Sequence, residues 1–317
     1  MREAAFLKQN APKWKNLESY LAGREKMAPD DLADFFIQLT DDLSYARTFY
    51  PKSNTTKYLN TLTAKLHQEI YRNKRESHNR FLTFWKVELP RTIKQARAEL
   101  FYAFAIFGVA ISIGGISAAN DDTFVRLILG DSYVNQTLEN IKSGDPMRIY
   151  KEMHQIDMFL GITFNNIRVA FLAFVAGVLL SFGTALVLFY NGVMLGVFHY
   201  FFYEQDLLNS ALRTIWIHGT LEISAIIVAG AAGLVIGNSL LFPGTYTRKQ
   251  SFMRGARNGL KMVVGLVPVF ITAGFLEGFV TRYTNTPTWL SLAIIAGSLA
   301  FVIYYFIVYP LGLEEVE

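Results

Sequence analysis

Apolar residues in this chain gather into long blocks, and the polar residues fall mostly between them. Five blocks stand out: Leu100–Ala118, Ile167–Tyr190, Ile217–Phe242, Leu260–Val280 and Trp289–Leu311. Each is near the roughly 20 residues that an α-helix needs to cross a hydrocarbon core about 30 Å thick. Barrel strands would alternate apolar and polar positions, which these blocks do not, so helices are predicted. A further run, Gly192–Tyr203, has twelve apolar-rich residues, or about 18 Å of helix.

Charge decides how that short run is read. Between Pro243 and Lys261 lie Arg248, Lys249, Arg254, Arg257 and Lys261 with no acid, whereas 119–166 carries seven acids against four basic residues. Short basic loops stay in the cytoplasm, so 243–261 is expected inside and 119–166 outside. Residues 1–99, with eighteen Lys/Arg against twelve Asp/Glu, agree with that orientation. Parity then requires Gly192–Tyr203 to cross as a short or broken third helix. The expected fold is therefore all-α and polytopic, with about six transmembrane helices over 100–311 and both termini cytoplasmic. The short third helix would draw Glu204–Arg213 below the outer lipid surface.

Residues 1–99 read as a cytoplasmic helical region. One helix starts at Pro29-Asp30-Asp31 and ends before Pro51, with Leu32, Phe35, Phe36, Leu39, Leu43 and Ala46 at helical spacing. A second runs from about Thr55 to Tyr71. Near 79–99, aromatic residues interleave with Arg80, Lys86, Arg91, Lys94 and Arg97, which suits a helix lying on an anionic leaflet and makes a nucleic-acid reading unnecessary. A short tail, 312–317, closes the chain. Outside, Phe124–Leu129 is amphipathic and Gly130-Asp131-Ser132 caps a helix over Tyr133–Ile141.

The chemistry is concentrated in His218-Gly219-Thr220-Leu221-Glu222, at the head of an apolar block. Ionisable side chains inside membrane helices are expensive and face protein or water-filled cavities. Along the same stripe follow Ala229, Gly233 and Gly237, small residues that let helices pack closely. Gly265, Ala273 and Glu277 form a matching stripe, and Gly177 and Ser181 offer another. On the six-helix topology His218, Glu222, Glu277, Arg282, Arg168 and His199 all fall at one level in the outer half of the bilayer. Such groups serve a polar vestibule, or they fix helix register. No cofactor or metal is expected: the His–Glu pair lacks the second histidine of His-Glu-x-x-His. Cysteine is absent, which excludes disulfides and thiolate chemistry. No phosphate-binding loop, dinucleotide fingerprint or nucleophile elbow occurs.

Trp216–Ile223, Ala229-Gly230-Ala231-Ala232-Gly233-Leu234, Asn191–Gly196 and Phe275-Leu276-Glu277-Gly278-Phe279 resemble, in order and spacing, the stage II sporulation protein M family. The likeness covers about 95–311. The N-terminal Asp42–Arg47 and Tyr50–Ser53 look like the version carried by non-sporulating bacteria. The resemblance implies a polytopic inner-membrane protein; the namesake of spore formers is a membrane scaffold that recruits peptidoglycan-degrading partners. Three functions follow as expectations. The first is a scaffold for an envelope-associated complex, contacting lipid and partner proteins through 1–99 or 119–166, with self-association left open. The second is a transporter or channel-like protein using His218, Glu222 and Glu277. The third is an intramembrane metal-dependent hydrolase.

Overall fold

The computed structural model describes residues 2–24, 27, 29–71, 80–146, 148, 154–283 and 286–313. Residue 79, part of the 119–166 segment and positions 314–317 of the tail lie outside them. Among the described residues every regular element is helical. The chain divides into two compact units, Met1–Arg80 and Phe81–Glu317.

The first unit packs three helices: α1 (Glu3–Leu21), α2 (Pro29–Phe49) and α3 (Asn54–Tyr71). The apolar spacing of α2 and α3 does what it predicts, burying Leu39, Leu43 and Ala46 against Leu59, Leu62 and Leu66. Helix α1 carries a sparser stripe, Phe6, Trp14 and Leu17, interrupted by Pro12. Polar contacts fix its register. The Trp14 indole donates to Asp42 Oδ2 at 2.9 Å, Lys13 pairs with the same carboxylate at 2.5 Å, and the Thr55 hydroxyl donates to Glu3 at 2.6 Å.

The second unit contains six helices long and apolar enough to cross a membrane: Arg97–Asn120, Gln155–Val178, Phe182–Glu204, Leu208–Leu241, Arg248–Thr281 and Thr288–Leu311, hereafter the first to sixth spans. The chain is thus an all-α polytopic membrane protein. Close contacts give the directions. Gly192 meets Phe107 and Ala110 while Gly196 meets Ile111, so the first and third spans run parallel. Thr163 meets Gly274 and Phe159 meets Gly278, so the second and fifth are antiparallel; the fourth and fifth are also antiparallel, with Gly255 on Ser239 and Gly259 on the Ala232 carbonyl. Large apolar side chains such as Phe101, Phe104, Phe164, Leu172 and Trp289 are exposed, as lipid contact demands. The fourth span is the central pillar: 67% of its apolar window is buried, against 11% for the sixth.

One boundary differs from the sequence expectation. The block Ile167–Tyr190 is not one span. It breaks at Leu179–Ser181, where Leu180 and Ser181 take positive φ values of 53° and 67°. A left-handed backbone is unfavourable for a residue with a side chain. Here the turn is held by hydrogen bonds from Leu179 N to Ala176 O and from Ser181 N to Gly177 O, both 3.1 Å. The opposing Gly237 has no side chain, so the Ser181 backbone can approach it. The third helix is consequently a full 23 residues, neither short nor broken. Nothing then requires Glu204–Arg213 to be drawn below a lipid surface.

Two further segments gain structure. The basic stretch 243–261 is mostly helix: Thr247 and Gln250 form a reciprocal capping box, and the fifth span starts at Arg248. The aromatic–basic segment packs with the bundle on one side. Leu89 and Ile93 are buried, Trp85 Nε1 donates to Gly265 O at 3.2 Å, and Tyr305 Oη donates to Trp85 O at 2.6 Å. Gly265 therefore meets Leu89 and Trp85, not the stripe of the fourth span. Phe81 and Leu82 remain exposed.

Candidate functional site

The fourth and fifth spans bring three donor side chains together in the half of the bundle opposite the basic loop. His218 and Glu222, one turn apart on the fourth span, share a face because four residues nearly complete a helical turn. Glu277 comes from the fifth span, within a wide π-helical turn, Leu276–Thr281. Turns of this kind are frequent at functional sites. One nitrogen or oxygen from each of His218, Glu222 and Glu277 lies within 4.8 Å of the others.

His218 and Glu222 are each held from outside the trio, and Glu277 faces His218. His218 Nδ1 is hydrogen-bonded to the Thr281 hydroxyl at 3.0 Å, and its Nε2 faces Glu277 Oε2 at 3.5 Å. Asn166 Nδ2, from the second span, donates to Glu222 Oε1. His218 is only 4% exposed and Glu277 8%. Two ionised carboxylates within 4.8 Å of each other repel by at least about 3.5 kcal/mol at an effective dielectric of 20, so neutralisation by protons or by a cation favours the site.

Above the trio, at the end of the bundle opposite the basic loop, is a polar cavity of about 80 Å³ lined by Ser210, Arg213, Thr214, Thr281 and Thr288 among others. It is roomy and polar enough to admit water. Thr281 belongs to both features, so its hydroxyl joins the cavity to the His218 ring. Toward the basic loop the bundle closes. A Cβ at Gly233 would run into the Ala173 carbonyl and Thr184, and one at Gly177 into the Gly233 carbonyl. Ala229 and Ala273 are fully buried.

Two residues expected at this site lie elsewhere. Because the second span starts at Gln155, Arg168 sits deep within it, on the exposed stripe of Phe164 and Leu172, about 200° around the helix from Asn166. His199 is engaged elsewhere, its Nδ1 2.7 Å from Leu195 O and its Nε2 accepting from Trp216 Nε1 at 3.0 Å. Trp216 is two residues from His218 and so points to another side of the fourth span. Arg282 directly follows Thr281. Asn166 is the partner that the sequence reading missed. Its signal was the Asn165-Asn166 pair, which becomes conspicuous once 155–178 is seen as one apolar helix.

These features define a class: a six-span helical membrane protein with a buried His–Glu–Glu cluster between its second, fourth and fifth spans. Residues 103–282 match the family model of stage II sporulation protein M, and residues 4–72 match a domain of unknown function, DUF8413. The match covers more than half of the chain, which therefore belongs to the stage II sporulation protein M family. No curated protein and no solved structure matches the chain.

Proposed function

We propose that this protein is a scaffold in the bacterial cytoplasmic membrane that organises an envelope-associated complex. The 1–72 helical unit and the basic loop face the cytoplasm, and the helices Asp122–Leu129 and Asp131–Lys142 face outward. The carrying observation is the glycine-mediated closure of the bundle half next to the basic loop, where the second and fourth spans meet backbone to backbone and Thr184 of the third packs on Gly233. Such packing favours a rigid platform over an open pore. The helical pair adds a second surface, anchored by Val125 and Val134 in a core with Val197, Phe201 and Ala211. Gentle cross-linking in native membranes, followed by purification, tests the proposal. Specific envelope proteins are expected with the full chain and lost on deletion of 1–72 or 122–142. Recovery of the protein alone would contradict it.

A second reading, a proton-coupled transporter, is favoured by the continuous polar series from the cavity through Thr281, His218 and Glu277 to Glu222. It requires that Glu222→Gln and Glu277→Gln abolish proton flux in proteoliposomes. Unchanged flux in both variants removes it.

A further inference from the structure

The geometry points to a site for one divalent transition-metal ion, with zinc the closest match, held by His218 Nε2 and the carboxylates of Glu222 and Glu277. Ligand chemistry comes first. One imidazole and two carboxylates form a donor set used for zinc and its neighbours, and three protein ligands with an open fourth position describe a site that keeps a water.

Distance is the second argument. His218 Nε2 and Glu277 Oε2 are 3.5 Å apart, longer than a well-formed N–H···O bond. Zinc bonds of about 2.0–2.2 Å to nitrogen and oxygen at tetrahedral angles put two ligand atoms roughly 3.4 Å apart. The observed separation is the edge of such a tetrahedron. Glu222 lies within the 4.8 Å span of the trio, so a small carboxylate rotation completes the face.

Support around the ligands is the third. Metal-bound histidines donate their other N–H to an oxygen, and ligating carboxylates are themselves hydrogen-bonded. Both features are present: Thr281 holds Nδ1, leaving Nε2 toward the carboxylates, and Asn166 binds one oxygen of Glu222, leaving the other. The Thr163 hydroxyl, one turn before Asn166 on the same face, is buried against Gly274 and has no partner among the described residues. Charge completes the case. Two carboxylates and a neutral imidazole carry −2, and a divalent ion brings the buried site to zero, as a low-dielectric interior requires. The polar cavity beside Thr281 gives an approach from the end opposite the basic loop. The third ligand is separated from His218 by 59 residues of sequence (277 − 218), beyond the reach of a short-motif search.

Cobalt titration of the full chain, purified in detergent through a tag without histidine and stripped with chelator, is the test. One equivalent of Co²⁺ is expected to give visible d–d bands of low-symmetry coordination, displaced by Zn²⁺. His218→Ala and Glu277→Gln should abolish the bands, and Thr281→Val should weaken affinity about 10- to 100-fold while leaving them visible. Helicity and a monodisperse elution profile check each variant; should His218→Ala fail to fold, the Thr281→Val shift still decides. Absence of bands in the native chain, or titrations unchanged in Glu277→Gln and Thr281→Val, would overturn the site. Partner capture does not enter this measurement, so the scaffold reading stands or falls separately.

Discussion

Single side chains settle how closely the spans approach. Gly233 faces the Ala173 carbonyl and Thr184, and a methyl group there has nowhere to go without moving backbone. Gly108, on the first span, has open space where its Cβ would be. The two glycines therefore make a matched pair. Gly233→Ala is expected to lower thermal stability in detergent by about 1–3 kcal/mol, the usual cost of overpacking. Gly108→Ala should be neutral or slightly stabilising, since alanine is the better helix former. Equal effects at both positions would mean that the fourth span does not pack as described. The same logic applies to the polar trio. Asn166 offers its amide to Glu222, and the Thr281 hydroxyl is hydrogen-bonded to His218 Nδ1, so both groups have a partner from a neighbouring helix.

Helices are where reading the sequence succeeded and failed for identifiable reasons. Six spans were legible because apolar blocks of bilayer length leave little alternative to a helix. The helical pair after the first span was legible too. Asp121 caps Asp122–Leu129 by accepting from Thr123 N at 2.9 Å, and Gly130, at a φ of 87°, turns the chain into Asp131–Lys142. Hydrogen bonds from Thr123 hold the Asp121 carboxyl below the ordinary carboxylate range. A lowered value means the cap contributes fully above the ordinary range and is lost only as pH falls below that range, through the lowered value. Amide exchange at Thr123 and Phe124 should quicken in that acid window, and Asp121→Ala should be fast throughout. PH-independent protection in the native chain would contradict the cap. The turn at Leu179–Ser181 was illegible because it contains neither glycine nor proline and is almost wholly apolar. Missing it lengthened one block, shortened the next helix, moved Arg168 to a helix start and hid Asn165-Asn166 in a supposed loop. One misplaced turn thus accounts for the wrong third helix and for two errors at the site.

The whole molecule combines a helical unit, Met1–Arg80, with a six-span bundle in which the fourth span touches most of the others. Its chemistry rests on spans distant in sequence meeting at one level: Asn166 from the second, His218 and Glu222 from the fourth, Glu277 and Thr281 from the fifth. That convergence was anticipated for His218, Glu222 and Glu277 from their placement on opposed stripes, but not for their hydrogen-bonding partners. The most direct test uses the absence of native cysteine. Glu222→Cys combined with Glu277→Cys, treated with a short bifunctional thiol reagent in membranes and mapped by mass spectrometry, is expected to link the fourth and fifth spans. Glu222→Cys combined with Arg168→Cys is expected to stay unlinked. Linkage of 168 to 222 without linkage of 222 to 277 would contradict the meeting of the fourth and fifth spans at the His–Glu–Glu cluster, on which the transporter and metal readings depend.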